Sequence, residues 1–264
     1  MFKIRIKAIV LFTLMFTTVA YANVSNSNIE TNQVNNGIVS VQYDSPSNNK
    51  TKVIVAKGTN KYTYDLRSND QFPLQMGDGE YTVSVLENAR GNQYKVISTE
   101  TVNMQATNPQ AVYLQSTEMI NWNNNMQAIQ KAKQLTQNAK TDKEKATLIY
   151  EYITNKVKYD NNKAVTVATG YVPSIDVILN TSLGICYDYS VLYAGMLRSV
   201  GVPTKMMMGY KNNIKKYHAW NEVYLQETKQ WVTIDITYDS ARVQNGVAAT
   251  MIKNNSEYKI EKQY

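Results

Sequence analysis

Between residues 37 and 104 apolar and polar positions alternate in short runs: GIVSVQY (37–43), KVIVAK (52–57), KYTYDL (61–66), EYTVSVLE (80–87), YKVIS (94–98) and ETVNM (100–104). An apolar residue at every second position puts one face of a run on a core and the other in water, which predicts strands. SPSNN, GTN, MGDG and ARGN separate the runs with turn-forming residues. Short, evenly spaced strands predict a small β-sandwich, read as a module over residues 37–117; the alternative is a sheet integral to one larger domain.

Strand signals stop near residue 114, and the apolar period lengthens. Residues 126–139 and 142–158 read as helices. In the second, Thr141 or Asp142 can cap the start, and Leu148, Ile149, Tyr152, Ile153 and Val157 recur at helical spacing. Pro173 opens a short helix, SIDVILN. Another runs from Gly184 through Ser199 with Ile185, Tyr189, Leu192, Tyr193, Met196 and Val200 on one face. Gly201 and Pro203 stop it. The chain then returns to strand character: TKMMMGY (204–210), and YHAWNEVYL (217–225) with QWVTIDI (230–236) as a hairpin. Residues 118–264 are thus expected to form an α+β domain.

The N-terminus reads as a secretory signal. Lys3, Arg5 and Lys7 precede an apolar stretch from Ala8 to Val19, and Ala20-Tyr21-Ala22 offers a cleavage site, so residues 1–22 are assigned to the signal. The rival reading, a membrane anchor, is too short: as a helix the stretch reaches about 18 Å against a hydrocarbon core of about 30 Å. Residues 23–36, rich in Asn, Ser, Thr and Gln, read as a flexible lead-in. The expected protein is secreted, with no stable membrane insertion. Charge is uneven: seven basic against eight acidic residues over 31–120, and eighteen against twelve over 121–264. No dense basic run with interleaved aromatics occurs, which argues against nucleic acid as a partner.

Cys186 is the sole cysteine and His218 the sole histidine. A lone cysteine in an exported chain closes no internal disulfide, so it is an intermolecular bridge, an inert buried thiol or a reactive one. One Cys and one His are too few for a structural zinc site, and no cofactor is called for. Within GICYDYS (184–190) the thiol falls in the first turn of a predicted helix, where unpaired N–H groups favour a thiolate. If Tyr224 faces Trp231 in the hairpin, antiparallel register sets Asp235 opposite Trp220, diagonal to His218 and within side-chain reach. Such a carboxylate would fix the tautomer of the imidazole, the nucleophile–base–orienter logic of covalent catalysis.

GICYDYS, YHAWNEVY and WVTIDITYD together resemble the three core motifs of the transglutaminase-like superfamily, over about residues 125–240. The resemblance implies a papain-like α+β core, helices packed on an antiparallel sheet, behind the β-module. It implies Cys186 as nucleophile, His218 as base and Asp235 as its orienter, with the Cys186 N–H in the oxyanion hole and Tyr171 as a candidate side-chain donor. Many members carry Asp-Pro-Thr where this chain has Asp235-Ile236-Thr237. The implied substrate is a protein or peptide of the wall or extracellular space. Hydrolysis is favoured over cross-linking; a non-catalytic binding protein that kept the fold is the third reading. Asp188, Trp220, Trp231 and the Met206–Met208 run read as structural.

Overall fold

The computed structural model describes residues 27–67 and 70–264. The signal segment, 1–22, and the first residues of the lead-in lie outside this range. The rest of the lead-in is not a flexible segment. Ser27–Glu30 forms strand β1, which pairs antiparallel with β2 (Ile38–Tyr43) from Ser27↔Tyr43 to Glu30↔Ser40. Its polar side chains hide the strand in sequence, because an edge strand is held by its ladder more than by burial.

The β-module contains β1, β2, β3 (Thr51–Lys57), β4 (Asn60–Asp65), β5 (Asp70–Pro73), β6 (Gly79–Arg90) and β7 (Gln93–Met104). One antiparallel sheet has the order β1-β2-β5 and the other β4-β3-β6-β7. Their inner faces share a core in which Val39, Val41 and Phe72 from the first sheet meet Val53, Val55, Tyr81, Val83 and Val85 from the second. This is the expected two-sheet sandwich. The predicted runs 94–98 and 100–104 are one strand, β7, whose mostly solvated faces leave little alternation to read.

The second half contains α1 (Gln127–Thr136), α2 (Asp142–Lys156), β8 (Lys158–Tyr159), α3 (Lys163–Thr166), α4 (Ile175–Thr181), β9 (Leu183–Gly184), α5 (Cys186–Ser199), β10 (Thr204–Lys211), β11 (Ile214–Leu225), β12 (Gln230–Ile234), α6 (Ile236–Gln244), β13 (Ile252–Lys253) and β14 (Tyr258–Gln263). Thr141 closes a capping box on α2: its hydroxyl accepts from the Glu144 N–H at 3.1 Å, and Glu144 accepts from the Thr141 N–H at 3.3 Å. The five strands of the sheet run in the order β13-β12-β11-β10-β14, antiparallel throughout.

Helix α5 is buried over 188–198. A helix enclosed on all sides belongs at the centre of a layered domain, and α5 packs between the sheet and α1, α2 and α4. Ile149, Ile153, Leu192, Met196 and Ile234 meet in the core around it. Each such side chain contributes about 1.5–3 kcal/mol by leaving water. Asn221 ties α5 to the sheet, donating to Ser190 O at 3.0 Å and Lys205 O at 3.1 Å. Met119 and Tyr264 pack against both cores and join the two halves.

Candidate active site

Cys186 is the first residue of α5 and is half-buried. Two devices hold its turn. Tyr159 pairs in parallel with Gly184, and the Asp160 N–H donates to Gly184 O at 2.9 Å. Asp188 reaches back to accept the Ile185 N–H at 2.8 Å, occupying one of the helix's unpaired donors. The fit requires glycine: a Cβ on Gly184 would lie 2.8 Å from the Asp188 Cβ. The fully buried Asp188 carboxylate also pairs with Lys163 Nζ at 2.7 Å and accepts from the Tyr171 hydroxyl at 2.6 Å. Asp188 is therefore structural, the anchor of the turn that carries Cys186.

His218 lies on β11, opposite Gly209 of β10. Burial alone would push its pKa down; the Asp235 hydrogen bond, and after it Cys186, outweigh burial and leave it up at about 9. Its Nε2 is 2.9 Å from Asp235 Oδ2. A carboxylate only accepts, so Nε2 carries the proton and Nδ1 is the nitrogen left for the Cys186 thiol. Trp220 stacks beside the ring at 6.2 Å between centroids.

The hairpin register is the expected one, Tyr224↔Trp231, and continues to Asn221↔Ile234. Asp235 is the next residue, fully buried, where the strand ends and α6 begins. It caps that helix by accepting the Tyr238 N–H on Oδ1 at 3.1 Å. The predicted strand 230–236 thus stops two residues early, because the Asp235 cap turns the chain into a helix. The cap fixes the carboxylate that meets His218.

The structure brings Cys186, His218 and Asp235 together and leaves Tyr171 out. The Tyr171 hydroxyl donates to Asp188 and accepts from Lys163 Nζ at 2.6 Å, and the residue does not line the pocket onto which Cys186 and His218 open. The buried Asp188 carboxylate is the stronger claimant for its proton. Tyr159, Tyr217 and Tyr238 line this pocket, and the Tyr159 pKa is raised first by burial and second by the Cys186 charge. Tyr258 carries no signal in the sequence. From β14 its hydroxyl donates to Asp235 Oδ2 at 3.1 Å, so one carboxylate oxygen serves two donors. Gly209 permits this approach, since a Cβ there would collide with Lys259 O of β14 at 2.0 Å.

The pocket has a volume of about 670 Å³. Among the described residues no group of three or more His, Cys, Asp or Glu side chains is arranged to hold a metal ion, and no helix is long and apolar enough to cross a membrane.

A thiol heading a buried helix, an imidazole on the adjoining sheet and a carboxylate capping the next helix thus meet within one α+β domain. Residues 129–236 match the transglutaminase-like superfamily. A protein-glutamine gamma-glutamyltransferase from Pseudomonas aeruginosa is 31% identical over a stretch covering 34% of this chain and 15% of that protein, so the match spans a small part of the relative. Among solved structures, a candidate cysteine protease from Cytophaga hutchinsonii aligns over 86% of this chain and 83% of its own, at 15% identity and a TM-score of 0.40. Red sea bream transglutaminase aligns over 76% and 48%, at 12% identity and a TM-score of 0.26.

Proposed function

We propose that Cys186, His218 and Asp235 form a catalytic triad that cleaves amide bonds of proteins or peptides through an acyl-enzyme on Cys186. The observation that carries this reading is the His218 Nε2–Asp235 Oδ2 bond of 2.9 Å, which leaves the other ring nitrogen to a thiol in a helix's first turn. The thiol proton passes to His218 Nδ1, and sulfur attacks the carbonyl carbon as the thiolate of the resulting ion pair. The Cys186 N–H is an oxyanion donor. Collapse expels the amine, which takes the proton from His218, and leaves a thioester. Water then attacks, His218 takes its proton, and acid and thiol are released. Hydrolysis is favoured because Cys186 is half-buried rather than sealed, so water reaches the thioester. The name of the Pseudomonas relative favours a second reading, in which an amine takes the acyl group instead.

The layout belongs to the same proposal. The protein is secreted through the segment at 1–22, residues 118–264 carry the chemistry, and the β-module of 37–117, extended by β1, holds the enzyme on a wall, matrix or protein partner. Incubating the protein with casein and a labelled primary amine tests the reaction. Peptide release without label, lost in Cys186→Ala, is the expected result; label incorporation lost in that variant supports transamidation. Neither, with the fold intact and a broad peptide panel uncut, overturns the enzyme reading.

A further inference from the structure

We infer that the pocket beside Cys186 receives a bulky apolar side chain next to a carboxylate, so that the preferred substrate is a peptide carrying this pair beside the amide under attack. The inference rests on the acyl-transfer reading and names its substrate class.

Four parts of the chain build the pocket: the segment around β8 and α3, the start of α5, strand β11, and helix α6 with the residues after it. Four of its lining residues are large apolar groups held in water: Tyr159 at 40% exposure, Val167 at 38%, Tyr217 at 46% and Val247 at 46%. Apolar groups gathered at one mouth, rather than scattered, mark a surface that a ligand covers. At about 670 Å³ the space is of ligand-site size and exceeds what one extended backbone fills. A large apolar side chain would take these groups out of water, which is favourable in proportion to the area covered.

The polar minority has one sign. Lys216 and Arg242 line the pocket, and no Asp or Glu does among the described residues. Neither cation joins an ion pair among the described residues. Arg242 donates Nε and Nη2 to Ala248 O at 3.3 and 3.0 Å, which orients the guanidinium and leaves its charge unbalanced. Thr237, also in the lining, has a buried hydroxyl without a partner among the described residues. Cations without a counter-charge, beside a free hydroxyl donor, call for an anionic group. A lysine ammonium would meet like charge, and a glutamine carboxamide would cover less apolar surface than an aromatic ring and bring no charge.

Binding to Cys186→Ala, measured by calorimetry, reads this preference apart from catalysis. The probes are acetyl-Ala-Phe-Glu-Ala-amide, its Phe-Gln, Gly-Glu and Phe-Lys counterparts, the Glu-Phe reversal, and acetyl-Ala-Ala-Phe with a free C-terminal carboxylate. The expected result is binding of a peptide with both Phe and a carboxylate about tenfold or more tighter than those lacking either. The Glu and free-carboxylate arms tell which kind of carboxylate is read. Arg242→Glu in the same background should reverse the Glu-over-Lys order. Lys216→Glu, at an exposed site, serves if the first variant misfolds. Equal binding across the panel, or preference for the Gln or Lys peptide, overturns the inference. The preference without cleavage by the wild-type enzyme supports it and overturns hydrolysis; cleavage without the preference overturns the inference alone.

Discussion

Asp235 Oδ2 accepts from both His218 Nε2 and the Tyr258 hydroxyl, and this sharing sets how strongly the carboxylate holds the imidazolium. The raised His218 pKa, about 9 against 6.5, has a defined sign. The folded state binds the proton more tightly than the unfolded one, so the stabilisation is present below pH 6.5 and lost as pH rises through about 9. Tyr258→Phe removes one donor, and the carboxylate's charge then falls more fully on His218. The alkaline limb of the kcat/KM profile, where the imidazolium loses its proton, should move to higher pH. Stability should fall by about 1–3 kcal/mol, because a buried carboxylate loses a partner. A lower melting temperature with an unmoved alkaline limb would make Tyr258 a packing residue only. Cys186, His218 and Asp235 were legible in the sequence because two are unique in the chain and hairpin register links the third to the second. Tyr258 was not, since it arrives on a polar C-terminal strand whose position is set by pairing with β10 and not by a local pattern.

Elements were readable where one face is buried. Strand β6 alternates almost perfectly between buried and half-buried positions, and α2 announces itself by its Thr141–Glu144 capping box. Strands β1 and β5 are four residues each, and α6 begins inside an apolar alternation, Val232, Ile234, Ile236, that imitates a longer strand. Asp235 three residues before Tyr238 was the cap signal that marks the change. The start of α5 was legible, but the reason for Gly184 was not: it admits the Asp188 side chain at 2.8 Å from its missing Cβ. Gly184→Ala should push Asp188 off the Ile185 N–H and loosen its pairing with Lys163. Overpacking of this kind costs about 1–3 kcal/mol. The expected outcome is a lower melting temperature together with slower alkylation of Cys186 at fixed pH. Unchanged alkylation in a destabilised variant would detach the anchor from the thiol.

At the scale of the whole molecule, the β-module and the α+β domain meet around a buried carboxylate. Glu118 follows the last residues of the module, and its N–H donates to Gln71 O at 2.9 Å. Its neighbour Met119 packs on both cores and accepts from the Tyr187 hydroxyl of α5 at 3.4 Å, so the junction touches the helix that begins at Cys186. Glu118 Oε2 has no partner among the described residues, and Oε1 lies 3.6 Å from the half-exposed Arg67 guanidinium. Burial raises the Glu118 pKa to about 7, and Arg67 offsets only part of this. Its folded-state value exceeds the ordinary 4.5, so the fold favours the protonated form: that contribution is complete below pH 4.5 and is lost as pH rises through about 7. Glu118→Gln keeps the shape and removes the charge. The variant should therefore melt higher than the wild type at pH 8, with the two converging towards pH 5. If the Arg67 pair dominated instead, the variant would melt lower at pH 8, where the pair is fully charged. Calorimetry at the two pH values separates these outcomes, and an Arg67→Ala control should widen the gap at pH 8, because it removes the cation that most offsets the Glu118 charge.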